Sequence, residues 1–118
     1  MAFSRQFAER PREGEPSRQF RNVCREFKKA IQTTKDIDVL QTQIEHFVNA
    51  NKKVRWPHET SAVFRKDTAE KAVTKVVTEF QRYLKDVIAD PSQANPQDLL
   101  DSISIVESMI DLLKGHHS

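Results

Sequence analysis

The chain has 118 residues and a net charge of +2, with 31% charged and 8% aromatic residues. This length accommodates one domain with a single modest core. No long apolar run and no leader with a basic start are present, which predicts a soluble protein that neither enters a membrane nor is exported through a signal peptide. Only two glycines occur, without a Gly-rich phosphate loop or a nucleophile motif, so the sequence argues for binding or assembly and against an enzyme.

Cysteine and histidine usage predicts neither a disulfide nor a metal site. Cys24 is the single cysteine and falls on an apolar helix face, which is typical of a small buried side chain and not of a nucleophile. His46 and His58 do not stand at ligand spacing from other metal-binding residues, and His116 and His117 lie in the tail. We expect no metal and no cofactor.

The first sixteen residues predict a flexible charged arm, because they combine Pro11, Gly14 and Pro16 with few apolar groups. From Ser17 onward, apolar residues recur at helical spacing: Phe20, Val23, Cys24, Phe27, Ala30 and Ile31. The opposite face of this first helix is basic: Arg18, Arg21, Arg25, Lys28 and Lys29. A solvated face is the ordinary interpretation, but the one-sided charge also favours an acidic partner.

A break at Thr33 and Thr34 precedes the second predicted helix, which runs to about Asn51 with Asp36 and Asp38 near its N-terminus. Its apolar stripe consists of Ile37, Leu40, Ile44, Phe47 and Val48.

Residues 52–66 form a connector that contains the only tryptophan, Trp56. The segment before Asp67 carries fourteen Lys/Arg against eight Asp/Glu, and the segment from Asp67 onward carries five against nine. The two parts therefore have charges of +6 and −4. Val54, Trp56, Val63 and Phe64 are apolar, which a merely solvated linker would not require.

Two more helices follow the connector. Asp67 or Thr68 is the predicted cap of the third helix, with Glu70 at capping-box spacing. Its stripe comprises Ala69, Val73, Val76, Val77, Phe80, Leu84, Val87 and Ile88. After a breaker at residues 89–96, Asn95 is the predicted cap of the fourth helix, with Pro96 in its first turn and Gly115 at its end. The stripe of that helix comprises Leu99, Leu100, Ile103, Val106, Met109, Ile110 and Leu113.

Four amphipathic helices with short links predict an all-α, antiparallel four-helix bundle over residues 17–115. The flexible arm 1–16 precedes it, the aromatic connector joins helices 2 and 3, and residues 116–118 form a tail.

The connector also carries a family resemblance. Val54-Arg55-Trp56-Pro57, followed by Phe64-Arg65, resembles the aromatic-Pro and aromatic-Arg pair that links the two helical pairs in coat proteins of rod-shaped plant viruses related to tobacco mosaic virus, the tobamovirus family. Further landmarks occur in the same order over residues 6–96: Gln6-Phe7, Cys24, Phe80 with Arg82, and Gln93-Ala94-Asn95-Pro96.

The resemblance implies a structural coat subunit, a homo-oligomer that assembles into discs or helical rods around single-stranded RNA, found in the virion and in the host cytoplasm. Arg82 matches an RNA-contacting arginine of that family, and Lys85 lies one turn further on. Cations there would neutralise phosphates without reading bases. From the residues alone, Arg82 and Lys85 lie on a solvated helix face beside Glu79 and Asp86.

The resemblance further implies inter-subunit carboxylates at Glu45, Glu70, Asp90 and Asp98, whose mutual repulsion would favour disassembly as the pH rises. The alternative is that these are ordinary surface acids. Connector residues that would lie near subunit contacts are Arg55, Trp56, Phe64 and Arg65. Alternatively, Trp56 and Phe64 close one end of their own bundle.

One family motif is missing. The paired arginines and paired aspartates expected at the start of the fourth helix are replaced by residues 97–102, which contain no arginine. The second functional interpretation is therefore a small soluble helical interaction module that uses the basic face of its first helix.

Overall fold

The computed structural model describes residues 15–56 and 66–117. Within these ranges the chain is helical and contains no strand: α1 Glu15–Thr33, α2 Ile37–Lys52, α3 Lys66–Ala89 and α4 Gln97–His117, with a short 3₁₀ turn at Pro91–Gln93. The predicted all-α four-helix bundle is confirmed. The predictions for the arm up to residue 14, for His58, Phe64 and Arg65 in the connector, and for Ser118 lie outside the described residues.

The helices pack in the order expected of an antiparallel bundle. α1 packs against α2 and α4, while α3 packs against α4 and less extensively against α2. Arg21 pairs with Asp111 and Lys28 with Glu107, so residue numbers rise along α1 as they fall along α4. α1 and α3 consequently occupy opposite corners of the bundle.

Aromatic rings form the centre of the core. The ring centroid of Phe47 lies 5.1 Å from that of Phe20 and 5.8 Å from that of Phe27. Phe27 also lies 5.9 Å from Phe80, which joins α1 to α3 across the core. Such pairs add to the free energy of burying the rings. The predicted stripes supply most of the buried residues: Phe20, Cys24, Phe27, Ile31, Leu40, Phe47, Ala69, Val76, Phe80, Val87, Leu99, Ile103, Val106, Met109 and Ile110.

Side-chain caps start α2 and α4: the sequence predicts the cap at Asn95, and it places Asp36 near the N-terminus of the second helix without assigning it as a cap. Asp36 Oδ1 accepts hydrogen bonds from the N–H groups of Asp38, at 2.9 Å, and Val39, at 3.4 Å. Asn95 Oδ1 accepts from the N–H of Gln97 at 2.9 Å. These bonds satisfy backbone donors that lack a partner inside the helix.

The predicted start of the third helix is wrong. α3 begins at Lys66, so Asp67 and Thr68 lie inside its first turn and not before it. The predicted core position Ile88 is also wrong, because its side chain is 68% exposed. It follows the buried Val87 by one residue, which is a rotation of about 100° around the helix.

Two other helices are longer than predicted. α1 begins at Glu15 and includes Pro16, two residues before the predicted start at Ser17. Proline is tolerated in a first turn, since the N–H groups there have no intrahelical acceptor. α4 continues through Gly115 to His117, because a glycine in a helix costs only about 1 kcal/mol and does not require a turn. In the ranges that the structure describes, no helix has both the length and the apolar character needed to cross a bilayer.

Candidate assembly and nucleic-acid interface

Trp56 closes the end of the core at which the connector begins. Its side chain is only 8% exposed, and its ring meets Phe20 edge-on with centroids 6.5 Å apart. The indole Nε1–H donates a hydrogen bond to Asn51 Oδ1 at 2.9 Å, so the polar part of the ring is satisfied within the same chain. Arg55 beside it is exposed. Trp56 therefore packs within its own subunit.

Arg82 lies next to a buried carboxylate that the sequence interpretation had placed on a solvated face. The Glu79 side chain is only 5% exposed. Lys75 Nζ lies 3.2 Å from Glu79 Oε2, and Arg82 Nη1 lies 3.5 Å from Glu79 Oε1. The two cations stand four residues before and three residues after Glu79, the spacing at which helical side chains meet. Arg82 thus helps to neutralise Glu79 while its own side chain stays 63% exposed.

A cleft of about 270 Å³ opens between α3 and α4 beside this group. From α3 it is lined by Lys75, Glu79 and Arg82. From α4 it is lined by Asp98, Asp101, Ser102 and Ile105. Three carboxylates and two cations leave its lining with a net negative charge. Lys85, one turn beyond Arg82, is exposed and is not part of the lining.

The four predicted inter-subunit carboxylates are all exposed, on different parts of the bundle. Glu45 lies within α2, and Glu70 lies in the second turn of α3 at the connector end. Asp90 and Asp98 lie at the other end, where α3 passes into α4. The Asp90 carboxylate is already hydrogen-bonded within its own turn, since its Oδ1 accepts from Ser92 N–H at 3.2 Å and from Ser92 Oγ–H at 2.8 Å. The pairing of these four carboxylates across subunits stays a prediction.

The basic face of α1 divides into an engaged part and an exposed part. Arg21 Nη2 lies 2.9 Å from Asp111 Oδ1, and Lys28 Nζ pairs with Glu107 and lies 3.4 Å from Ser104 Oγ. The remaining cations, together with one asparagine, form an exposed row on the side of α1 away from the core, here named the α1 stripe: Arg18, Asn22, Arg25 and Lys29. Within the described residues the three cations of this row have no ion-pair partner.

Cys24 is a buried core residue. The pKa of its thiol is raised to about 12, mainly by burial and secondarily by the nearby Glu107 carboxylate, against a smaller lowering by the Lys28 ammonium. A neutral, enclosed thiol is a poor nucleophile and a poor metal ligand. Across the ranges that the structure describes, no group of three His, Cys, Asp or Glu side chains is arranged to hold a metal ion.

Tyr83 and Glu79 are buried groups that the sequence interpretation did not place in the core. Tyr83 is buried, and its hydroxyl has no hydrogen-bond partner within the described part of the chain. Its spacing of seven residues from Val76 would have placed it on the apolar stripe. Glu79 has the same kind of signal, because it stands three residues from Val76 with a cation on either side.

Comparisons with known proteins gave no match: no family model fits the sequence, and neither the curated proteins nor the solved structures include one that is significantly similar to it.

Proposed function

We propose that the chain is a structural coat subunit that assembles into discs or helical rods around single-stranded RNA, in the virion and in the host cytoplasm, without enzymatic activity. The resemblance in residues 6–96 supports this proposal, because its central motif lies where helices 2 and 3 are joined. The observation that carries it furthest is the difference between the two ends of the bundle.

The core is covered by an aromatic ring on the connector side, whereas the other end of the bundle presents charged turns. Trp56 packs there against Phe20, beside the exposed Arg55. At the other end, the α1–α2 and α3–α4 links carry exposed charged side chains, including Lys35, Asp36 and Asp90. Such a subunit can place these charged turns toward a solvated nucleic-acid channel and its connector side away from it.

Arg82 is the phosphate-contacting residue in this proposal, with Lys85 one turn nearer the charged end. The Arg82 guanidinium can leave Glu79 for a phosphate because Lys75 remains 3.2 Å from that carboxylate. The buried charge of Glu79 then keeps a partner, which avoids the cost of an unpaired ion. Two exposed cations recognise phosphates by charge alone, so binding would be independent of sequence.

The test is electron microscopy and sedimentation of the full chain, with and without a single-stranded RNA of arbitrary sequence. Discs or rods that lengthen with RNA are the expected result. RNA affinity should fall steeply with salt concentration. Arg82→Ala should lower the number of counterions released on binding, measured as the slope of log affinity against log salt, by about one. Lys71→Ala, at an exposed position of the same helix, is the matched control. A small species that neither grows nor binds RNA contradicts the proposal.

The second candidate is an interaction module that binds an acidic partner. The α1 stripe favours it, since three cations there have no ion-pair partner within the described residues. A stable monomer or dimer under all assembly conditions is the result that distinguishes this module from a coat subunit.

A further inference from the structure

The α1 stripe is a linear arrangement of positive charge with a defined length. Arg18, Asn22, Arg25 and Lys29 follow one another at spacings of four, three and four residues, so they share one side of the helix. From Arg18 to Lys29 the stripe extends about 16 Å along the axis. The neighbouring cations Arg21 and Lys28 are held by α4, whereas the three cations of the stripe have no ion-pair partner within the described residues.

The cleft between α3 and α4 has the opposite character. Its two cations, Lys75 and Arg82, both lie against Glu79. Asp98 has no ion-pair partner within the described residues, and Asp101 accepts one hydrogen bond, from Gln97 Nε2 at 2.8 Å. Exposed carboxylates on the α4 side therefore favour a cation as the occupant.

An apolar side chain completes the cleft. Ile105 is 56% exposed and lies in the lining two turns along α4 from Asp98. The aliphatic part of an arginine or lysine can cover such a side chain while its charged head reaches a carboxylate. The combination suits a long basic side chain from a protein better than it suits a free metal ion.

The stripe and the cleft lie on different sides of the subunit. α4 contacts α1 through Ser104, Glu107 and Asp111, whereas it lines the cleft with Asp98, Asp101 and Ile105. Around the helix axis these two sets fall on opposite flanks of α4. The stripe cannot reach the cleft of its own subunit. Contact between stripe and cleft must join two molecules, and it leaves a free stripe at one side of the pair and a free cleft at the other.

We propose that the α1 stripe of one subunit docks into the α3–α4 cleft of a second copy of this chain. Arg25, at the middle of the stripe, meets Asp98 and Asp101, and the aliphatic parts of the stripe cover Ile105. This contact is head-to-tail, so it repeats into a ring or a helix and does not close as a twofold dimer. The inference rests on the proposed self-assembly, for which it names the contacting surfaces.

Charge reversal of the full-length chain tests this contact by sedimentation velocity at low and high salt. Arg25→Glu and Asp98→Arg are each expected to lower the association constant about tenfold or more, because each places like charges together. The double variant Arg25→Glu/Asp98→Arg restores one attractive pair with reversed sign, while Asp101 is unchanged, and we expect it to associate more strongly than either single variant. Circular dichroism checks that every variant is folded.

Two control variants change the net charge equally at exposed positions that belong to neither surface. Lys53→Glu, after α2, matches Arg25→Glu, and Asp38→Arg, on α2, matches Asp98→Arg. Assembly of both controls is expected to equal that of the wild type. If the controls lose as much assembly as the paired variants, net charge governs association and the specific contact is refuted.

The remaining outcomes separate the failure of the contact from the failure of the proposed function. If the wild type assembles and Arg25→Glu assembles equally well, the contact is refuted while the coat function stands. If Arg25→Glu keeps its assembly but loses RNA binding, the stripe binds nucleic acid and the contact is again refuted. If the wild type stays a small species at every salt concentration, with and without RNA, both proposals fail.

Discussion

Trp56 and Asn51 are joined by a hydrogen bond of 2.9 Å from the indole Nε1–H to the amide Oδ1, which ties the segment after α2 back to the last turn of that helix. The indole ring is thereby fixed against Phe20, with ring centroids 6.5 Å apart. The residue that best marks the family resemblance is thus a structural part of its own subunit.

Replacing Trp56 by alanine should destabilise the subunit. We expect the free energy of unfolding to fall by about 3–5 kcal/mol, because a large buried ring is removed from the end of the core. Trp56→Phe should cost about 1–2 kcal/mol, since part of the buried ring volume and the hydrogen bond are lost, although the half-buried Asn51 can bind water. Urea unfolding followed by circular dichroism measures both values, with the exposed neighbour Arg55→Ala as a control. A folded Trp56→Ala subunit of unchanged stability that fails to assemble would instead place the ring in an interface.

The buried carboxylate of Glu79 should depend on its two cations. In Lys75→Ala/Arg82→Ala it loses both partners, and we expect a loss of about 1–2 kcal/mol, limited by the exposure of the cations. Adding Glu79→Gln to this background removes the unpaired charge and should recover part of the loss. Chemical unfolding of the double and triple variants, with Lys71→Ala for comparison, provides the measurement. Equal stability of the double variant and the wild type would show that solvent alone compensates Glu79.

Tyr83→Phe should stabilise the protein. The Tyr83 hydroxyl is buried and has no hydrogen-bond partner in the described part of the chain, so its removal relieves a desolvation penalty without leaving a significant cavity. We expect a gain of about 1 kcal/mol, visible as a higher midpoint in a thermal melt. A lower midpoint would mean that water or a residue outside the described ranges binds this hydroxyl.

The thiol of Cys24 should make stability fall at alkaline pH. Its pKa is raised by burial from 9.0 to about 12 in the folded state. The folded chain therefore keeps a proton that the unfolded chain releases above pH 9. The stability that the protonated thiol contributes is fully present below pH 9 and is lost as the pH rises toward 12. Between these values the thiol adds a slope of up to about 1.4 kcal/mol per pH unit.

Unfolding free energies between pH 8 and 10 check this expectation, with Cys24→Ala as the reference in which the added slope is absent. The same burial should keep native Cys24 unreactive toward a thiol reagent at pH 8 until the chain is unfolded. Rapid labelling of the native protein, or equal slopes in the two proteins, would contradict the enclosure of this thiol.

Local pattern alone determined the helices and their inward faces. The spacing of Phe20, Phe27 and Phe47 is enough to identify core positions, because an apolar stripe can be buried in only one direction. The caps at Asp36 and Asn95 were equally predictable, since an unpaired helix terminus needs an acceptor close by in the sequence. The start of α3 and the exposure of Ile88, next to its last residue, were not predictable in this way, because the ends of a helix depend on where its packing stops.

Tertiary structure alone decided how the charges are used. The sequence shows five cations on one face of the first helix, but only the packing of α4 against α1 engages Arg21 and Lys28 and leaves the α1 stripe exposed. In the same way, only the approach of α3 to α4 buries Glu79 and places Asp98 at the edge of the α3–α4 cleft. An ion pair between helices depends on their relative rotation, which residue spacing within one helix does not specify.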